Sequence, residues 1–410
     1  MFLVNVLSYL DRQVLSIVQE SMKEDFGWTD ADLGWLQLAF GVSLALCAVP
    51  IGRLADRISR KNVLMGCLTL WSAATVFAGL ATNFVQMTLA RIGVGIGEAG
   101  VTPTAYAMVS DKFPPRRRAT ALAVCGIGVP IGVALSLILG GMISETLGWR
   151  WAFILFGAPG FLVAIIMALF MTAPRKGEAD GIKSALISSL AETVRRLFSA
   201  PAFTFVLFGA AFMSIAAAGI LNWMPSYLQR KFDLGEGEVG IAIGLIIVAT
   251  AVTATLSAAY LGDRLSEKDT RWYAWIVVIS QLLSLPLILI SLFSDNYIMA
   301  LVFFAGSAFF SNSMLAISNA LIQNTSPVHM RSTASALKSM ALTFLGFGAG
   351  SFLIGQMSEH VFNTGNDATD LMWALAVGSS FHVFAALSFW MSGYYLRTDI
   401  DRAATDSGLT

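Results

Sequence analysis

Five ionisable side chains sit where water should be scarce. Asp11, Arg12, Arg91, Glu98 and Lys338 fall inside long apolar runs, whereas the other charged residues gather at the ends of those runs or between them. In a hydrocarbon setting each carries a penalty of roughly 2.5–3.5 kcal/mol on insertion scales, which makes a functional role the default reading. The chemistry available to this set is proton exchange. A carboxylate beside a guanidinium stays ionised, and the same carboxylate moved away from it favours the protonated acid. Asp11 and Glu98 are the titrating groups; Arg12 and Arg91 modulate them or hold an anionic headgroup. The competing reading is a static charge cluster that pins the first helix to the fourth.

Composition dictates the elements that must position these groups. Of 410 residues, 56% are hydrophobic and 13% are charged, against about 25% charged in a soluble domain. Runs of about 20 apolar residues are long enough to cross a bilayer. Soluble enzyme, nucleic-acid binder and secreted disulfide scaffold are excluded on this ground. The charged and Pro/Gly breaks cut the chain into twelve spans: 1–20, 33–53, 62–81, 84–110, 117–145, 149–171, 202–229, 237–261, 271–293, 296–325, 332–358 and 371–396. The first opens in mid-helix, so a short cytoplasmic leader and the start of helix 1 are expected upstream of residue 1. Arg91 and Glu98 lie seven residues apart, two turns of span 4, and share one face about 10 Å apart along the axis.

Orientation follows from the basic residues. The loops after spans 2, 4, 6, 8 and 10 and the C-terminal tail hold nineteen Lys and Arg. The opposite loops hold four: Lys23, Arg150, Arg230 and Lys231. By the positive-inside rule both termini face the cytoplasm, and the expected location is the plasma membrane, the inner one in a bacterium.

The halves repeat. Leu54-Ala-Asp56-Arg57-Ile-Ser59-Arg-Lys61 after span 2 is echoed by Leu261-Gly-Asp263-Arg264-Leu-Ser266-Glu-Lys268 after span 8. Likewise Pro114, Arg118, Thr120 and Ala121 match Pro327, Arg331, Thr333 and Ala334. Parallel repeats in equivalent loops imply two pseudo-symmetric six-helix bundles related about the membrane normal. The division read from sequence is an N-terminal bundle over 1–171, a linker over 172–201, a C-terminal bundle over 202–396 and a tail over 397–410. In the linker Leu186, Ile187, Leu190, Val194, Leu197 and Phe198 recur at helical spacing, as in a helix lying in the interface. It is read as a tether, with a sliding coupler as the alternative.

These features resemble the major facilitator transporters. Gly52 to Lys61 is similar to the family's loop between helices 2 and 3, with Ser59 in place of a second glycine. Arg91 followed by Gly93, Gly95 and Gly97 is similar to its helix-4 arginine motif. Tyr9-Leu-Asp11-Arg12, Arg91 through Ala99, and Gly148-Trp149-Arg150-Trp151-Ala152-Phe153 resemble the Spinster branch more narrowly. The resemblance implies an all-α integral membrane protein with the major facilitator fold, working by alternating access and as a monomer. It also implies proton coupling through the helix-1 and helix-4 acids, and a cytoplasmic gate latched by Asp56, Arg57, Arg118 and, by the repeat, Asp263.

The second half supplies a different wall. Aligned on the repeat, Arg91 and Glu98 correspond to Phe304 and Ser311. Asn222, Trp223, Phe310, Ser311 and Lys338 are the candidate cavity residues, although a lysine two turns into span 11 can instead snorkel to water. Charge facing aromatic and weakly polar groups suits a solute with an ionic head and an apolar body, of lysolipid or sphingoid type. A small organic anion clamped by Arg12 and Arg91 is the alternative. A membrane-embedded lipid-modifying enzyme lacks a Ser/His/Asp set, and a receptor-like binding protein is the remaining class. Glycines and prolines in spans 4 and 5 serve close packing, with a hinge as the alternative. No cofactor beyond the proton is expected: Cys47, Cys67 and Cys125 suit neither zinc nor a bridge, and His329, His360 and His382 do not cluster.

Overall fold

The computed structural model describes residues 1–113, 115–171, 190–327 and 330–406; some side chains within them, those of Asp56 and Arg118 included, lie outside the description. Among the described residues the chain is helical, in eighteen α-helices and one π-helical segment. The first half comprises α1 (Phe2–Ile17), α2 (Gln19–Phe26), α3 (Asp30–Arg57), α4 (Arg60–Leu80), α5 (Phe84–Ala99), α6 (Val101–Lys112), α7 (Pro115–Leu147) and α8 (Trp149–Phe170). The second comprises α9 (Leu190–Phe198), α10 (Pro201–Phe232), α11 (Glu236–Ser266), α12 (Trp272–Phe293), α13 (Tyr297–Asn312), α14 (Met314–Asn324), α15 (Arg331–Ala341), a π-helix (Leu342–Gly350), α16 (Ser351–His360), α17 (Asp367–Ser379) and α18 (Phe381–Asp406).

Ten of the twelve expected spans appear as helices long and apolar enough to cross a membrane. The other two are spans 1 and 4, the ones that carry Asp11, Arg12, Arg91 and Glu98. Span 1 is broken at Val18 between α1 and α2, and span 4 at Gly100 between α5 and α6. Both charged spans are interrupted, as irregular backbone is tolerated only inside the protein, and spans 10 and 12 are also broken, at Ser313 and Ser380. The break in span 4 has a repeat mate. Gly100 donates its N–H to the Glu98 carbonyl, and Ser313, at the same offset that relates Pro114 to Pro327, donates to the Ser311 carbonyl. Span 11 is interrupted differently, widening into nine π-helical residues, a form that recurs at functional positions.

Two compact units result. One holds α1–α8 together with Leu221–Val248 and Ser351–Leu371; the other holds the remainder of the second half. The units cut across the sequence division at 171 and 202, because ends of spans 7, 8 and 11 pack on the first repeat. In the first unit small residues let helices approach closely. A Cβ at Gly97 would lie 2.6 Å from the Trp71 backbone nitrogen, and one at Gly128 2.9 Å from the Phe2 carbonyl oxygen. Gly126 meets no neighbour within 4 Å, so packing explains most but not all of these glycines.

The second unit is built on Phe203, Val206, Val277, Leu321 and Phe389, with Leu197 of α9 joining the same core. In the linker region a helix spans Leu190–Phe198, with Leu197 buried and Phe198 exposed. Lys183, Leu186 and Ile187 lie outside the described residues.

Candidate proton-coupling site

Consecutive residues on a helix point about 100° apart, and α1 uses this to send Asp11 and Arg12 to different neighbours. Asp11 turns to α4, where its Oδ2 accepts from Thr75 Oγ1 at 3.3 Å. Arg12 turns to α5, where Nη2 and Nε donate to one oxygen of Glu98, Oε2, at 2.7 and 3.1 Å. Arg91 and Glu98 share the buried face of α5, as their spacing requires. All four groups are buried, Asp11 and Arg91 at 1% exposure, Glu98 at 3% and Arg12 at 7%. The pairing differs in one respect from proximity along the helix: Glu98 is bound by Arg12 of another helix and not by Arg91.

Phe40 of α3 links the two guanidiniums. Its ring centroid lies 5.3 Å from the Arg12 carbon and 4.9 Å from that of Arg91, while Tyr9 stacks on Arg12 at 4.5 Å. A cation over an aromatic face in a dry site gains about 2 kcal/mol. That fixes both arginines without consuming their N–H groups. Arg91 Nε and Nη2, Glu98 Oε1 and Asp11 Oδ1 have no hydrogen-bond partner among the described residues. Buried polar atoms are nearly always partnered, which makes these four residues the candidate site.

The other expected residues divide between the units. In the first, Asn222 donates to Ser351 Oγ at 2.6 Å, accepts from Gln13 at 3.0 Å, and its carbonyl accepts from Gln19 at 3.0 Å. Trp223 Nε1 donates to the Ser351 carbonyl at 2.9 Å. Both side chains are fully enclosed, engaged in a helix seam and not presented as lining. In the second unit Phe310 meets Phe309 edge-on at 5.4 Å, and Ser311 Oγ has no hydrogen-bond partner among the described residues. Lys338 is 2% exposed and donates to Ser318 Oγ and Asn319 Oδ1, each at 2.6 Å. It does not snorkel, because two oxygens of α14 satisfy the ammonium at depth.

Of the gate residues, Arg57 is exposed in the last turn of α3, and exposed Asp263 accepts from Tyr273 at 3.0 Å. The side chains of Asp56 and Arg118 lie outside the described residues. Among the described residues no three His, Cys, Asp or Glu side chains converge as a metal site would need.

Sequence reasoning missed a second charged cluster, in the first unit, at the end bearing Lys23 and Arg230. Arg230 of α10 forks onto two acids, Glu20 at 2.8 and 2.9 Å and Asp30 at 2.6 and 2.8 Å. Lys23 joins Asp30 at 2.9 Å and Asp367 at 3.3 Å. Ser358 donates to Asp30 at 2.8 Å, and the Asp30 N–H reaches Glu359 at 3.3 Å. Nearby, Arg150 pairs with Asp25, whose carboxyl is held below its usual range by that hydrogen bond and one from Trp149. A signal was available: this end carries four basic residues in all, and three of them form ion pairs.

Comparison with known proteins follows this geometry. A family profile described as Major Facilitator Superfamily matches residues 1–351. An "MFS-type efflux pump" of Mycolicibacterium smegmatis is 33% identical, the match covering 97% of this chain and 92% of that protein. A "Sphingosine-1-phosphate transporter SPNS2" of Xenopus tropicalis is 26% identical over 87% of this chain and 72% of its own length. The crystal structure of a bacterial homologue of the human lysosomal transporter Spinster, inward-facing and unoccupied, superposes with a TM-score of 0.86. It is 26% identical and covers 97% of this chain and 96% of its own.

Proposed function

Since the chain belongs to the major facilitator superfamily, with Spinster proteins among its relatives and structural neighbours, we propose that this membrane transporter is proton-coupled. In this reading it moves an amphiphilic solute with an anionic or zwitterionic head, of lysolipid or sphingoid type. It works as a monomer by alternating access, with both termini in the cytoplasm and the Arg230 cluster at the outer end.

The observation that carries the reading is the buried set of two acids and two guanidiniums in which Glu98 is paired and Asp11 rests on a threonine. Its charge is balanced while both acids are ionised. A proton on either acid leaves one guanidinium charge uncompensated, and a buried uncompensated charge is costly. An oxyanion on the unfilled N–H groups of Arg91 offsets it. Proton binding and anion binding therefore favour one another, and exposure of the site to the other side releases both.

A second reading is favoured by the same Arg91 donors: a carrier for small organic anions, with Arg12 and Arg91 as the clamp. Uptake into proteoliposomes under an inward proton gradient, with a lysolipid against a sugar acid as the labelled probe, separates them. Accumulation of the lysolipid alone supports the first reading. A lysolipid that neither moves nor competes overturns it.

A further inference from the structure

The end of the first unit that carries the Arg230 cluster holds carboxylates of two kinds. Glu20 and Asp30 are neutralised by Arg230, and Asp30 by Lys23 as well. Glu236, the first residue of α11, is different. It is 6% exposed, its Oε1 accepts from the Ser21 hydroxyl at 2.6 Å and the Ser21 N–H at 3.4 Å, and its Oε2 has no partner. Ser144 of α7, also buried, is a second hydroxyl acting on this carboxyl.

No Lys, Arg or His among the described residues neutralises Glu236; the charged group acting on it is Glu145 of α7, another acid. The cations on the elements around it are committed elsewhere. On α2, Lys23 serves Asp30 and Asp367. On α10, Arg230 serves Glu20 and Asp30, and Lys231 lies 5.7 Å from the rings of Tyr227 and Phe232. Of the other acids on these elements, Asp25 of α2 pairs with Arg150, and Glu24 of α2, Asp233 before α11 and Glu238 of α11 are exposed.

The seam around Glu236 is tight. A Cβ at Gly141 would clash with the Glu236 carbonyl oxygen, and one at Gly240 with the Leu137 carbonyl oxygen. Glu145 Oε1 accepts the Gly237 N–H at 2.8 Å. A carboxylate closed into such a seam beside a like charge, with hydroxyl partners, has no counter-ion to keep it ionised.

We propose that Glu236 is a second proton-binding site, separate from Asp11 and Glu98, that holds a proton while this end is sealed and loses it when the seam opens to water. The proposal rests on the alternating-access reading, in which spans 1, 5 and 8 part at this end. Its consequence is that alkaline pH on this side favours opening. Release of one proton gives an opening equilibrium that rises up to tenfold per pH unit.

The test needs neither solute nor gradient. Amide hydrogen exchange of residues 18–30 and 233–242 is followed in detergent micelles from pH 5 to pH 8.5, corrected for the intrinsic pH dependence of exchange. Wild type is expected to lose protection at least tenfold as pH rises. Glu236→Gln is expected to stay protected throughout. Glu145→Gln, which removes the like charge and lets Glu236 ionise more easily, moves the midpoint to lower pH and covers the case in which the first variant does not fold. Protection independent of pH in wild type, or a wild-type profile in Glu236→Gln, overturns the proposal. The double variant Asp11→Asn/Glu98→Gln is expected to keep the wild-type profile, so failure at Glu236 is distinguishable from failure of coupling at the central site.

Discussion

Arg230 offers a perturbation whose size is worked from its contacts. Its side chain is 8% exposed and forks onto Glu20 and Asp30, themselves 21% and 3% exposed. Removing one partner of a buried ion pair costs about 3–5 kcal/mol; here Glu20 is left without its guanidinium and Asp30 keeps only Lys23 as counter-ion. The contacts join α10 to α2 and α3 within the first unit, so the loss falls on the state in which this end is sealed. At 1.4 kcal/mol per factor of ten, Arg230→Gln raises the fraction open at this end by roughly 100- to 4,000-fold until opening saturates. The assay is labelling of a single cysteine at Ser226, which is fully buried and lies 3.4 Å from Gln19 Nε2. A membrane-impermeant maleimide is applied after replacement of Cys47, Cys67 and Cys125. Wild type is expected to label slowly and Arg230→Gln at least a hundredfold faster, with Arg230→Lys between them because an ammonium cannot reproduce the bidentate fork. Labelling within twofold of wild type in Arg230→Gln, with the protein folded, refutes the reasoning.

Two further substitutions probe packing and surface charge. Gly97→Ala places a methyl 2.6 Å from the Trp71 backbone nitrogen and Cβ and is expected to destabilise by about 1–3 kcal/mol, read as a lower Tm in detergent. Asp25 titrates below its usual range because of Arg150 and Trp149. Its contribution to stability is therefore present above the unfolded-state carboxyl pKa and lost as pH falls through the lower folded-state value. Asp25→Asn is expected to lower Tm at pH 7 and to converge on wild type in acid; a Tm gap that widens as pH falls would contradict the assignment.

The fold was legible because twelve apolar runs, two repeated loops and a one-sided distribution of arginine leave little freedom. The burial of Asp11, Arg12, Arg91 and Glu98 was legible for the same reason: nothing else charged interrupts those runs. Partner choice was not. Spacing brings Arg91 to the face of Glu98, yet Arg12 takes the carboxylate, because pairing depends on how α1 is rotated against α5 and no periodicity records that. Lys338 shows the same limit. Its position near a helix end fits a snorkelling chain, and only the approach of Ser318 and Asn319 from α14 explains why the ammonium stays buried. The Arg230 cluster draws on Glu20, Lys23, Asp30, Ser358, Glu359 and Asp367, residues scattered over more than 340 positions, and sequence separation hides such a network.

The central claim is that Asp11 and Glu98 carry the coupled proton. Its most direct test compares, in proteoliposomes under an inward proton gradient, uphill accumulation of a labelled lysolipid with its equilibrium exchange at uniform pH. Glu98→Gln and Asp11→Asn are expected to abolish accumulation while retaining exchange, since a permanently neutral side chain leaves binding and alternation in place and removes the link to the gradient. Gradient-driven accumulation retained in both variants would contradict the account.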